Sequence, residues 1–211
     1  MRKLYKTPIH TDIVVDINIL RQPTKKVNTI SEGENIAAKL FKILNKTKTG
    51  IGLTANQIGI DSSVFVINVK EPLYFINPKI IKYGKNKIIY KESCLSLPGK
   101  VVITSRSNYI EIIADNLEKP MLFKSKNNYK STKDLFNDLD LLECVAIQHE
   151  YHHTLGKLII DDDISLNPKP IHNNVKHKRN DIITIKNGDE IKTIKYKHYN
   201  EQLKKDGWII N

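Results

Sequence analysis

The segment Gln148-His149-Glu150-Tyr151-His152-His153 constrains this chain more than any other. Residues four apart share a helix face, so His149 and His153 can aim both imidazoles at one cation while Glu150 leans towards an adjacent water. The motif demands a helix, and its flanks supply one. Asp138 suits the N-cap, Leu139, Leu142, Val145 and Ala146 offer an apolar face, and Gly156 can stop the helix just after His153. With seven His and ten Glu in 211 residues, H-E-x-x-H arises by chance in about one such sequence in a hundred. A solvated, His-rich helix face is the bland alternative.

Two imidazoles do not complete a catalytic site, which normally takes three protein ligands and leaves one position to water. Cys94 is the candidate third ligand. It lies in Glu92-Ser93-Cys94-Leu95-Ser96, part of a Ser/Pro/Gly-punctuated stretch that can approach the helix from outside. Cys144 falls about 140° round the helix from His149 and reads as a small packed hydrophobe. A disulfide between the two is not expected. No secretory apolar stretch follows Met1-Arg2-Lys3-Leu4-Tyr5-Lys6, so the chain should sit in a reducing compartment, soluble and cytoplasmic.

At 211 residues and 40% apolar content, the chain has room for one cored domain plus a small appendage. No apolar run is long enough for a membrane span. A net charge of +11 and a pI near 9.4 favour polyanionic surroundings, but no zinc-finger spacing or RNP-type aromatic motif accompanies them.

The element pattern is α+β. Ser31-Glu32-Gly33-Glu34 has capping-box spacing, and Ile36, Ala37, Leu40, Phe41 and Leu44 then share one face, predicting a helix near 32–46. Short strands are predicted over 64–69 and 73–76, with β pattern continuing at 79–90, 100–104 and 109–114. Residues 124–137 read as a polar surface excursion, 138–155 as the motif helix, and 157–160 as another strand. The expected division is a domain over 1–165 and a basic extension over 166–211. Residues 169–211 hold ten Lys/Arg against five Asp/Glu, a net of +5. Within them, Ile182-Ile183-Thr184-Ile185-Lys186 and Asn187-Gly188 signal a β-hairpin, followed by a short helix from Tyr199 to Lys205 that Gly207 ends, with Trp208 and Ile209 packing back. Such a tail serves either as a structural cover or as a ribosome-docking element.

A third segment completes a pattern: Gly50-Ile51-Gly52-Leu53-Thr54-Ala55-Asn56-Gln57. In this order, the three segments resemble the peptide deformylase family, whose motifs have the forms G-Φ-G-Φ-A-A-x-Q, E-G-C-L-S and Q-H-E-x-x-H. The resemblance covers roughly residues 18–165 and implies antiparallel β-sheets packed around a central helix carrying the H-E-x-x-H motif, with the β-hairpin as a C-terminal extension. It implies that Cys94, His149 and His153 bind one divalent metal ion, iron(II) first, with zinc, nickel or cobalt possible. Glu150 would handle the proton of the attacking water, and Gln57 and the backbone N–H of Leu95 would stabilise the oxyanion. The substrate would be an N-formylmethionyl peptide, laid beside Ile51 and Gly52, with Val145 and Ala146 in the methionine pocket. The ribosome is a possible further partner.

Thr54 replaces the first alanine of the first motif, Ser93 replaces the glycine before the cysteine, and His152 stands where an acidic residue is common. Ser93 is the most delicate of these, since glycine tolerates backbone angles that serine does not. Arg106 is expected to form a structural ion pair with Glu92. A zinc metallopeptidase is the runner-up among enzymes, but it would not explain Cys94 or Gln57. A basic ribosome- or nucleic-acid-binding module with a purely structural metal is the non-enzymatic alternative, and it requires a fourth protein ligand.

Overall fold

The computed structural model describes residues 12–125, 135–164, 179–180, 182–187, 190–200, 203, 206 and 209–210. The chain divides into two compact units, residues 1–167 and 168–211. The first begins with α1 (Ile17–Leu20), α2 (Ile30–Leu44), β1 (Gly52–Thr54), β2 (Val64–Asn68) and β3 (Pro72–Ile76). Then follow β4 (Lys79–Tyr83), β5 (Lys87–Ser93), β6 (Val101–Ser107), β7 (Tyr109–Ile113), β8 (Met121–Lys124) and α3 (Leu139–Thr154). All strand pairs are antiparallel: β1-β2-β3 in one sheet, β4-β7-β8 in a second, and β5 with β6.

Period-2 alternation along β2 explains how the helices are placed. Val64 and Val66 point to one face, where they join Ile36, Ala37, Leu40 and Leu44 of α2. Phe65 and Ile67 point to the other, where they join Cys144, Ala146 and Ile147 of α3 together with Phe75, Ile110, Ile112 and Phe123. The helix α3 therefore packs against both three-stranded sheets. Residues 143–150 are all buried, so α3 is not the one-sided amphipathic helix that the Leu139-Leu142-Val145-Ala146 spacing predicts. Leu139, assigned to the apolar face, is instead 52% exposed in the first turn.

Asp138 caps α3 as expected, accepting from the N–H groups of Asp140 and Leu141. The cap of α2 is Thr29, two residues before the expected Ser31: its hydroxyl accepts from the Glu32 N–H at 3.2 Å, and Glu32 reaches back to the N–H of Asn28 at 3.3 Å. Residues 157–160 do not form a strand. The Asp161 carboxylate accepts from the Leu158 N–H at 2.9 Å and closes a 3₁₀ turn over Ile159–Asp161, while Arg21 grips that carboxylate with both guanidinium nitrogens. The strand β8 lies where the sequence offered no alternation, and nine residues of the expected excursion, 126–134, lie outside the described residues.

In the second unit, β9 (Ile182–Asn187) pairs with β10 (Glu190–Lys195) and with β11 (Ile209–Ile210). Ile185 is buried among Ile194, Tyr196, Tyr199 and Leu203. Asn187 pairs with Glu190, so it ends the strand rather than forming the turn. Gly188, Gly207 and Trp208, and most of the expected helix after Tyr199, lie outside the described residues.

Gly156 follows α3 with φ +69°, and a Cβ there would lie 2.3 Å from the Arg21 carbonyl oxygen. Both left-handed strain and a backbone clash oppose any side chain. Gly156→Ala is expected to lower the unfolding free energy by more than about 1–2 kcal/mol. Urea denaturation measures this, and an unchanged midpoint would contradict the packing described.

Candidate metal centre

Strand β5 and helix α3 deliver the donors. Glu92 is in the last two residues of β5 and Cys94 follows directly on the strand's end, so both stand beside α3. The Sγ of Cys94 lies 3.2 Å from Nε2 of His153. Cys94, His149 and His153 are all buried, and each offers a ligand atom within 4.8 Å of the others. Tetrahedral zinc with nitrogen at about 2.05 Å and sulfur at about 2.3 Å needs donor separations of about 3.3–3.6 Å. The cluster fits one cation of that kind. Among the described residues the cluster contains three protein donors.

Glu92 orients the site from behind. Its Oε2 takes the Nδ1 proton of His149 at 2.8 Å, directing Nε2 towards the cluster. Arg106 holds the same carboxylate from two nitrogens, at 2.6 and 3.1 Å, and the Thr104 hydroxyl also donates to it. Burial pushes the Glu92 carboxyl up, but the bond from His149 and the Arg106 charge outweigh it, holding Glu92 well below the usual carboxylate range. Burial likewise acts against charge on His149, yet Cys94 and Glu92 raise its proton affinity well above normal. His153 is held low by burial and by the neighbouring His149 charge.

Glu150 is buried beside the cluster. Thr54 donates its hydroxyl to Glu150 Oε2 at 2.7 Å, and Oε1 lies over Gly52, where a Cβ would approach it to 2.5 Å. Burial raises the proton affinity of Glu150, partly offset by His149 and the Thr54 hydroxyl. Gln57 is fixed at both ends of its amide. Its Oε1 accepts from the Thr54 N–H at 2.8 Å, and its Nε2 donates to Ser96 Oγ at 3.1 Å and approaches Cys94 Sγ at 3.5 Å.

A cavity of about 640 Å³ opens on these groups. Gln57, Cys94, Leu95, His149 and Glu150 line it, and so do Ile51, Gly52 and Val145. Ala146 does not line it. A step of about 100° round α3 from Val145 carries Ala146 into the core beside Phe65 and Phe75. His152 also leaves the cluster: its Nδ1 lies 2.8 Å from Asp162 and 3.0 Å from Arg106. Ser93 ends β5 in ladder register with Val101 and has no positive φ, so the missing glycine imposes no strain there.

Three contributors escaped the sequence reading. The bond from His149 to Glu92 was foreshadowed only by the two-residue spacing of Glu92 and Cys94. Gln148 mimics a strand partner, donating to the Ser107 carbonyl at 2.8 Å and accepting from its N–H at 3.0 Å, which pins α3 to the end of β6. Thr54, noted only as a departure, proves to contact Glu150.

A buried thiol and two imidazoles that could hold one cation, with a carboxylate and an amide beside them, form the side-chain set that a hydrolytic metal centre needs. The polypeptide deformylase family model matches residues 11–169. A peptide deformylase of Aquifex aeolicus is 36% identical over 159 residues, covering 71% of this chain and 85% of that one. One from Buchnera aphidicola subsp. Schizaphis graminum is 33% identical over 156 residues, 69% of this chain and 85% of that one. Among solved structures, peptide deformylase from Synechococcus elongatus in complex with actinonin matches with a TM-score of 0.60 at 28% identity, covering 77% of this chain and 82% of that chain. The Thermotoga maritima peptide deformylase matches at 0.59 and 26%, covering 72% and 95%. This chain belongs to the peptide deformylase family.

Glu92→Gln removes a charge facing both Arg106 and His149. An expected loss of about 3–5 kcal/mol in stability follows from leaving the buried guanidinium short of its partner, and metal affinity should fall about 10–100-fold. Denaturant titration and competition with a chelator read the two effects separately. Wild-type metal affinity in the variant would show that His149 does not depend on Glu92.

Proposed function

We propose that this family member hydrolyses the N-formyl group from the initiating formylmethionine of newly made polypeptides, releasing formate, at the centre built from Cys94, His149, His153 and Glu150. The observation that carries the reading is the clustering of Cys94, His149 and His153 beside a cavity that Cys94, His149 and Glu150 line. A divalent cation held by the thiolate and two imidazoles supplies Lewis acidity and makes a hydroxide nucleophile available near neutral pH. Glu150 takes the proton of the attacking water and returns it to the departing amine. The Gln57 Nε2 and the Leu95 N–H meet the negative charge growing on the formyl oxygen. The donor set suits iron(II), with zinc, nickel or cobalt as alternatives.

Substrate binding follows from β1 lying at the edge of its sheet. A peptide laid alongside Ile51 and Gly52 can extend that edge through main-chain hydrogen bonds, with Val145 lining the pocket for the methionine side chain. Among the described residues, no helix is long and apolar enough to cross a membrane. The reading places the protein in the cytoplasm, where formylated chains emerge.

Formate release from a formyl-Met peptide tests the activity. Glu150→Gln should keep its metal and lose turnover by at least about 100-fold, whereas His153→Ala should lose the metal itself. Near-normal turnover in the Glu150 variant would refute its role.

Residues 1–165 form the catalytic domain in this reading, and 166–211 a basic extension. The extension has a small core of its own around Ile185, and its role is either a structural cover or ribosome docking. Truncation after Ser165 decides the matter. A structural cover predicts a lowered melting temperature with ribosome co-sedimentation unchanged, and docking predicts the reverse.

A further inference from the structure

Thr54 is fully buried in β1 and sits between two groups assigned to the chemistry. Its hydroxyl lies 2.7 Å from Glu150 Oε2 and 3.1 Å from the Glu150 carbonyl oxygen, while its N–H holds Gln57 Oε1 at 2.8 Å. The motif this segment resembles has alanine at that position, which offers the same N–H but no hydroxyl. The contact to Gln57 is thus common to either residue, and the contact to Glu150 belongs to threonine.

We propose that Thr54 is a positioning residue that fixes the Glu150 carboxylate, committing Oε2 to the threonine and leaving Oε1 as the oxygen that exchanges a proton with the attacking water. A glutamate side chain has three rotatable bonds, and its terminal torsion is broad. Two restraints act on that torsion here. Thr54 binds one oxygen, and the other rests over Gly52 in a space that no Cβ could share. Threonine is itself stiff at χ1, so the hydroxyl is an anchored donor rather than a mobile one. A hydroxyl has a single hydrogen, and the shorter of its two contacts here is to the carboxylate. Gly52 and Glu150 both line the cavity, and Oε1 is the carboxylate oxygen that meets Gly52.

The inference rests on the reading of Glu150 as the proton-transfer group. Three variants test it: Thr54→Ala, Thr54→Val, which keeps the shape, and Thr54→Ser, which keeps the hydroxyl. Steady-state formate release, metal content by elemental analysis and melting temperature are measured on each. Crystal structures of the wild type and the valine variant show the carboxylate. Thr54→Ala and Thr54→Val should lower kcat by about 10-fold, with KM within about twofold of wild type and metal content unchanged. Thr54→Ser should stay within about threefold of wild type. In the valine variant the carboxylate should be rotated away from its wild-type orientation or occupy more than one. Wild-type kcat in the alanine variant, a serine variant as impaired as valine, or a loss confined to KM or tracking metal loss would overturn the proposal. If the wild type releases no formate, the deformylase reading fails on its own. The crystal structures still decide the positioning claim: an unmoved carboxylate in Thr54→Val refutes it.

Discussion

The carboxylate of Glu92 joins strand β5, strand β6 and helix α3 at one point. It accepts from Arg106 and Thr104 on β6 and from His149 on α3, and all four side chains are buried. A buried carboxylate without partners would take up a proton rather than remain charged. Here the guanidinium and the imidazole stabilise the charge, and the charge in turn fixes the tautomer of His149. The orientation of the His149 ring and the joining of α3 to the β5-β6 pair are therefore one interaction. Arg106 extends it further, reaching His152 in the last turn of α3 at 3.0 Å and Asp162 beyond it at 3.1 Å.

The same dependence explains why a helix so rich in polar residues is buried on almost every side. Gln148, His149, Glu150 and His153 each meet a partner from another element: Ser107, Glu92, Thr54 and Cys94 respectively. These polar side chains thus find partners across the packed layers, with Nδ1 of His153 left without one among the described residues, while Cys144, Ala146 and Ile147 fill the apolar gaps. Burial raises the Cys144 thiol to about 12, which keeps it an inert packing group.

Much of this was legible in the sequence, and what was missed has a common cause. The gathering of Cys94, His149 and His153 could be read because i, i+4 spacing is local geometry and three ordered motifs restrict each other. Strand β2 could be read from its unbroken apolar run, and Asp138 from its position before the helix. The failures arose where a tertiary contact overrode local pattern. Residues 157–160 look like a strand until Asp161 closes a turn on Leu158. Ala146 looks like a pocket residue until the core beside Phe65 and Phe75 claims its face. Ser31 carries capping-box spacing, but Thr29 with Glu32 has the same spacing one half-turn earlier, and only the approach of Asn28 distinguishes them. The effect of the hydroxyl at position 54 could not be seen without knowing that Glu150, 96 residues away, lies opposite it.

The edge position of β1 has a consequence for breadth of action. Backbone amides and carbonyls repeat identically in every polypeptide, so a surface that reads an incoming chain through them is indifferent to most of its side chains. In the proposed binding mode, discrimination falls on the first residue, whose formyl group is set against Glu150 and whose side chain lies near Val145. Such a division lets one catalyst serve a whole proteome of unrelated beginnings.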